Sequence, residues 1–131
     1  MSIQQVAIIS IGTELTQGFT LNTNAHWLSG ECRQLGYKVA YQLSLPDDAT
    51  YWKPCFEMLK NSGVSIAIVT GGLGPTSDDQ TRHLIAETFS KPLIYAPLCE
   101  EGIKKWFIKR GLDYVETNKI QACFPEGATI L

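Results

Sequence analysis

The chain has 131 residues, is 44% hydrophobic and 18% charged, and carries a net charge of −2. This describes one globular domain able to bury a core, and it excludes a disordered chain. The slight acidic excess speaks against a general nucleic-acid binder, which shows a basic surplus on one face. Cys32, Cys55, Cys99 and Cys123 are scattered without a C-x-x-C pair, so zinc spacing is absent. They read as small, mostly buried residues of a reducing compartment. The N-terminal apolar run is too short to span a membrane and lacks the features of a signal peptide. A soluble cytoplasmic protein is expected.

Short apolar runs alternate with helical patterns. Val6 to Ile11, "VAIISI", is continuous and β-branched, as in a strand buried on both faces. Asn24 to Leu35 follows as a helix, with Ala25, Leu28, Cys32 and Leu35 on one face and Gly36 as its stop. Asn22 and Thr23 are candidate caps for it. Tyr37 to Leu45 is a second strand, closed by a turn at Pro46 to Asp48. Trp52, Cys55, Phe56 and Leu59 mark a helix that takes Pro54 in its first turn. Val64 to Val69 is a third strand. Thr81, Leu84, Ile85 and Thr88 place a helix after a glycine-rich stretch. "PLIYA" reads as a short strand or an extended connection, and Cys99, Ile103, Trp106 and Phe107 as a last helix closing near Gly111. This alternation predicts an α/β fold with a mostly parallel sheet covered on both faces. Ligands then bind beyond the C-terminal ends of the strands. Both glycine-rich stretches, "IGTELTQG" and "TGGLGPT", should reach that edge.

Gly71, Gly72 and Gly74 lie between a strand and a helix. Such a turn exposes backbone N–H groups at a helix start and lets a ligand approach, which suits a phosphate. Neither the dinucleotide fingerprint nor the P-loop spacing is met, and a tight connection explains the glycines equally. Asp78 and Asp79 add a second requirement. One of them, or Thr76 or Ser77, is a candidate helix cap. Two adjacent carboxylates repel a phosphate unless a cation lies between, and a Mg²⁺-type ion held by carboxylates and phosphate oxygens meets that need. The alternative is that both simply complement the helix dipole. In the first loop Gly12, Thr13, Glu14, Thr16 and Gly18, then Asn22 and Asn24, are candidates, Glu14 as a ligand-facing acid at a strand end. His26 reads as solvent-facing. Asp79 and His83 read as a surface pair, Lys104 to Arg110 as a solvated basic face, and Trp106 and Phe107 as core. No motif for covalent nucleophilic catalysis is present.

"IGTELTQGFTLNTNAHWL", "VTGGLGPTSDDQT" and "RGLDYVETNKIQACFPEGATIL" together resemble the N-terminal domain of the CinA family, the competence/damage-inducible proteins. That domain belongs to the molybdopterin-binding, MoaB/MogA-like superfamily. The resemblance covers nearly the whole chain, residues 1–131, as a single domain. It implies a three-layer α/β/α sandwich. It also implies divalent-metal-dependent hydrolysis of ADP-ribose to AMP and ribose 5-phosphate, with an ion of Mg or Co type. In that reading Gly71, Gly72 and Gly74 hold phosphate and Asp78 and Asp79 hold the ion. Glu14 orients water or adds a metal contact. Asn22 and Asn24 meet ribose or base, and Gly12, Thr13, Thr76 and Thr81 support the substrate. Two alternatives follow: molybdopterin binding or adenylyl transfer in molybdenum cofactor biosynthesis, or a non-catalytic nucleotide-binding regulatory domain. The family's nicotinamide mononucleotide deamidation resides in another domain and is not expected here. The family's N-P-x-G and P-G-P-P loops do not occur in this sequence, so the domain reads as incomplete at its C-terminus, with a sheet edge open to a partner chain. Expected partners are a phosphate-bearing nucleotide or pterin and further copies of the chain, without nucleic acid or membrane.

Overall fold

The apolar run of the first strand becomes the centre of a sheet. In a computed structural model, which describes residues 3–131, β1 spans Gln5–Ile11 and Val6 through Ile11 are all buried. Burial on both strand parities means that both faces are covered. β2 (Lys38–Leu45) and β3 (Ile66–Thr70) flank it in parallel, in the order β2, β1, β3. These strands belong to the first of two compact units, residues 1–71.

Two short helices and one longer one complete this unit. α1 (Thr13–Thr16) is a single turn that periodicity does not reveal, α2 spans Thr23–Gln34, and α3 spans Trp52–Lys60. Asn22 caps α2 as expected, its side-chain oxygen accepting from the Ala25 N–H at 3.1 Å. Ala25 and Cys32 of α2 pack with Val6 and Ile8, and Leu28, Tyr37, Val39, Ile66 and Ile68 surround them. Leu35 departs from the expected face: it is the C-terminal cap residue and is 74% exposed. In α3, Trp52, Cys55, Phe56 and Leu59 are buried as their spacing predicts, and the Trp52 and Phe56 rings stack at 5.2 Å. Full burial of such side chains stabilises by about 1.5–3 kcal/mol each.

The second unit is residues 72–131. It holds α4 (Thr81–Thr88), β4 (Leu93–Tyr95), α5 (Pro97–Lys109) and β5 (Cys123–Pro125). β4 and β5 pair antiparallel, a ladder that the sequence did not reveal because β5 is only three residues long. A 3₁₀ segment, Glu116–Ala122, runs into β5. The "PEGA" stretch turns as expected, with Gly127 at φ 82° and the Ala128 N–H donating to the Pro125 carbonyl at 3.0 Å. Trp106 is not core: it is 45% exposed, and the Arg110 guanidinium lies 4.3 Å over its ring. Phe107 is half-buried against the edge of Tyr114. Cys32 and Cys55 are buried, Cys99 and Cys123 only partly so, and all four are free thiols. Among the described residues no helix is long and apolar enough to cross a membrane.

Candidate functional site

The glycine requirement after β3 is real at two positions. Gly71 and Gly72 have φ of 87° and 60°, a region that L side chains rarely adopt. At Gly71 a Cβ would also overlap the carbonyl oxygen of Ile11, so β1 and β3 finish side by side there. Gly74 needs glycine for another reason. Its backbone is not left-handed, but a Cβ would lie 2.9 Å from the carboxyl carbon of Asp79.

Asp79 explains that crowding. Its Oδ2 accepts from the Thr76 N–H at 2.9 Å and from the Thr76 hydroxyl at 2.5 Å. Partial burial pulls its pKa up. The Thr76 bonds, the Gly74 N–H and the nearby Arg82 charge together outweigh this and hold it below the ordinary value. The carboxylate therefore reaches back into the loop. It caps no helix: the residue before α4 is Gln80, which makes no side-chain cap. Asp78 differs, being exposed to solvent with its carboxylate outside this network.

Arg82 is the residue that sequence reasoning passed over. It lies on the first turn of α4, is only 7% exposed, and points back under the glycines. Its guanidinium donates to the Leu73 carbonyl at 2.5 Å and to the Gly74 carbonyl at 3.1 Å. Burial lowers its pKa and the Asp79 charge opposes that fall. The loop is thus gripped from both sides, by a carboxylate on its N–H and hydroxyl groups and by a guanidinium on its carbonyls. Thr81, expected to support the substrate, is buried, and its N–H donates to the Gly72 carbonyl at 3.1 Å.

An open cleft of 660 Å³ lies against this loop. Pro75, Thr76, Ser77, Asp79 and Gln80 form one wall, with His83 of α4 and Thr117 and Ile120 of the 3₁₀ segment opposite. The segment is held by Asn118, whose side chain accepts from the Val115 N–H at 3.0 Å and donates to Gln121 at 3.1 Å. Next to it, Glu100 of α5 accepts from the hydroxyls of Tyr95 and, at 2.6 Å, Tyr114. Lys104 pairs with the same carboxylate at 3.0 Å. The Tyr114, Tyr95 and Lys104 bonds hold the Glu100 pKa down at about 2. Tyr95 is pushed up to about 12, chiefly by its bond to Glu100.

Of the first-loop candidates, Gly12, Thr13 and Asn22 hold framework bonds in the first unit. Thr13 donates its N–H and its hydroxyl to Asp47 Oδ2 at 2.8 and 3.1 Å, and the Asp47 N–H returns a bond to the hydroxyl. Asn22 accepts from the Ser10 hydroxyl at 3.2 Å and donates to Ser44 at 3.1 Å, besides capping α2. Its amide ties together the ends of β1 and β2. Gly12 is buried, with its N–H on the Leu45 carbonyl at 2.9 Å. Glu14 and Asn24 are exposed. His26 is exposed as expected. Among the described residues, no group of three or more His, Cys, Asp or Glu side chains is placed to hold a metal ion.

Comparison with known proteins places the chain in a family. The family model described as "Probable molybdopterin binding domain" matches residues 7–125. A CinA-like protein of Rippkaea orientalis is 41% identical over 124 residues, covering 95% of this chain and 30% of its own length. The chain therefore spans about three-tenths of that curated relative. The crystal structure of CinA, a protein of unknown function from Thermoplasma acidophilum, superposes with a TM-score of 0.80 at 27% identity, over 95% of this chain and 72% of that one. MoaB from Pyrococcus furiosus, a tungsten cofactor synthesizing protein, has a TM-score of 0.65 at 20% identity, covering 85% and 67%, and shows the shared α/β fold alone. The chain belongs to the molybdopterin-binding domain family, with CinA proteins among its relatives.

Proposed function

We propose that this domain binds a phosphate-bearing heterocyclic ligand of the pterin or nucleotide class in the cleft beside the glycine loop. The observation that carries this is the cleft's mixed lining. Pro75 and Ile120 offer apolar surface to a flat ring, while Thr76, Ser77, Gln80 and Thr117 offer hydroxyl and amide groups. The buried Arg82 places positive charge under the same loop, and the Asp79 carboxylate in the cleft wall offsets part of it. The family match favours a pterin ligand of the molybdopterin kind. Calorimetric titration with a pterin phosphate and with ADP-ribose, each with and without Mg²⁺, tests the reading. Saturable binding of either ligand, lost in Arg82→Gln, is the expected result. Absence of binding by both would overturn it.

A second reading, hydrolysis of a nucleoside diphosphate sugar such as ADP-ribose, is favoured by the exposed Asp78 next to Asp79 in the loop. Asp79 Oδ2 is taken up by Thr76, and among the described residues no third acidic, His or Cys side chain joins the two aspartates as a resident-ion site. The aspartates do suit an ion arriving with the substrate, since Mg²⁺ is commonly held by one or two carboxylates plus phosphates. Asp78 would be the carboxylate that receives it. A bound ion would neutralise phosphate charge and acidify a water molecule. The chain's own part is to hold the diphosphate against the loop, with Asp79 and Arg82 fixing the loop's shape before the ligand arrives. Chromatography of AMP released from ADP-ribose under Mg²⁺ and Co²⁺ separates this reading from binding alone.

A further inference from the structure

We propose that Glu100 is a positioning residue for the cleft beside the glycine loop, and that it fixes the far wall by gripping the 3₁₀ segment at both ends. The inference rests on the reading of that cleft as the ligand site. The far wall is Thr117 and Ile120, which lie inside a 3₁₀ segment of seven residues, Glu116–Ala122. Runs of 3₁₀ helix beyond about three or four residues are uncommon, because their hydrogen bonds are poorly aligned. Such a wall needs support from outside itself.

Glu100, buried in the first turn of α5, supplies that support with both carboxylate oxygens. Oε1 accepts from the Tyr114 hydroxyl at 2.6 Å, and Tyr114 directly precedes Val115, the N-cap of the segment. The Val115 carbonyl in turn accepts from the Asn118 N–H at 2.9 Å. Oε2 accepts from the Tyr95 hydroxyl. Tyr95 pairs across the β4–β5 ladder with Cys123, the residue directly after the segment. Beside it the Ala96 N–H donates to the Ala122 carbonyl at 2.8 Å. Ammonium groups brace both tyrosine rings. Lys104, paired with Glu100 at 3.0 Å, lies 5.0 Å over the Tyr114 ring. Lys119, within the segment, lies 5.0 Å over the Tyr95 ring. Glu100, Tyr95 and Tyr114 do not line the cleft, so they act on it only through the segment. A wall fixed before the ligand arrives spares binding the cost of ordering it.

The test combines amide hydrogen exchange of the free chain with calorimetric titration of pterin phosphate and of ADP-ribose, both under Mg²⁺. Tyr114→Phe should speed exchange at Asn118, and Tyr95→Phe at Ala96 and Cys123, each about tenfold, while Glu100→Ala does both. Exchange at residues 72–80 should not change. Glu100→Ala should weaken binding by about tenfold, and Glu100→Gln, which keeps an acceptor on a side chain of the same shape, should recover most of that affinity. Faster exchange spread evenly over residues 72–131, no change at either end of the segment, or wild-type affinity in Glu100→Ala would overturn the proposal. A wild-type chain that binds neither probe would instead overturn the reading of the cleft, and with it the role of Glu100 toward a ligand.

Discussion

In each unit a threonine places its N–H and its hydroxyl on one aspartate oxygen. Thr13 meets Asp47 across 34 residues of chain, and Thr76 meets Asp79 across three. The chemistry is the same and the purposes differ. The first pair joins the loop after β1 to the loop after β2, a tie between strand ends. The second closes a loop on itself, and a buried guanidinium completes it from the other side. A long-range tie fixes a framework, whereas a local one shapes a surface that a ligand can meet.

Four substitutions break or sharpen that contrast. Gly71→Ala should be the most damaging, because it meets both a left-handed φ and the Ile11 carbonyl. A loss of about 3 kcal/mol in urea unfolding is expected. Asp79→Ala leaves the Thr76 N–H and the Arg82 charge without their partner, and about 2 kcal/mol should be lost, with faster amide exchange at residues 72–80. Asp47→Ala removes bonds that lie exposed, so about 1 kcal/mol is expected, with exchange rising at Thr13 instead. The smallest effect is on pH dependence. The folded-state pKa of Glu100 is depressed from 4.5 to about 2, so its stabilisation is complete above about pH 4.5 and is lost as pH falls toward 2. Glu100→Gln should flatten the stability profile over that window, measured by thermal unfolding at stepped pH.

The parallel strands and their helices were legible because burial imposes period and continuity on local sequence. "VAIISI" had to be central, since no half-exposed strand tolerates six apolar or small residues in a row. Gly71 and Gly72 were legible for a similar reason, as few other residues take their φ. The interior of the candidate site was not. Asp78 and Asp79 look alike in sequence, and only the loop's path decides that one turns inward and the other faces solvent. Arg82 was passed over, because sequence spacing does not tell where a long side chain points. Thr117 and Ile120 come from a 3₁₀ segment more than thirty residues after the glycines, a proximity that only the fold creates. The Asp47 tie was invisible on the same grounds.

The claim that the two adjacent aspartates divide the work, Asp79 building the loop and Asp78 meeting the ligand's ion, can be tested in one paired experiment. Asp78→Asn and Asp79→Asn are each assayed for Mg²⁺-dependent release of AMP from ADP-ribose and for their unfolding midpoints. The account predicts that Asp78→Asn loses turnover by about a hundredfold with its midpoint unchanged, while Asp79→Asn lowers the midpoint as well. Full metal-dependent turnover in Asp78→Asn, or an unfolding midpoint that falls in Asp78→Asn but not in Asp79→Asn, would contradict it.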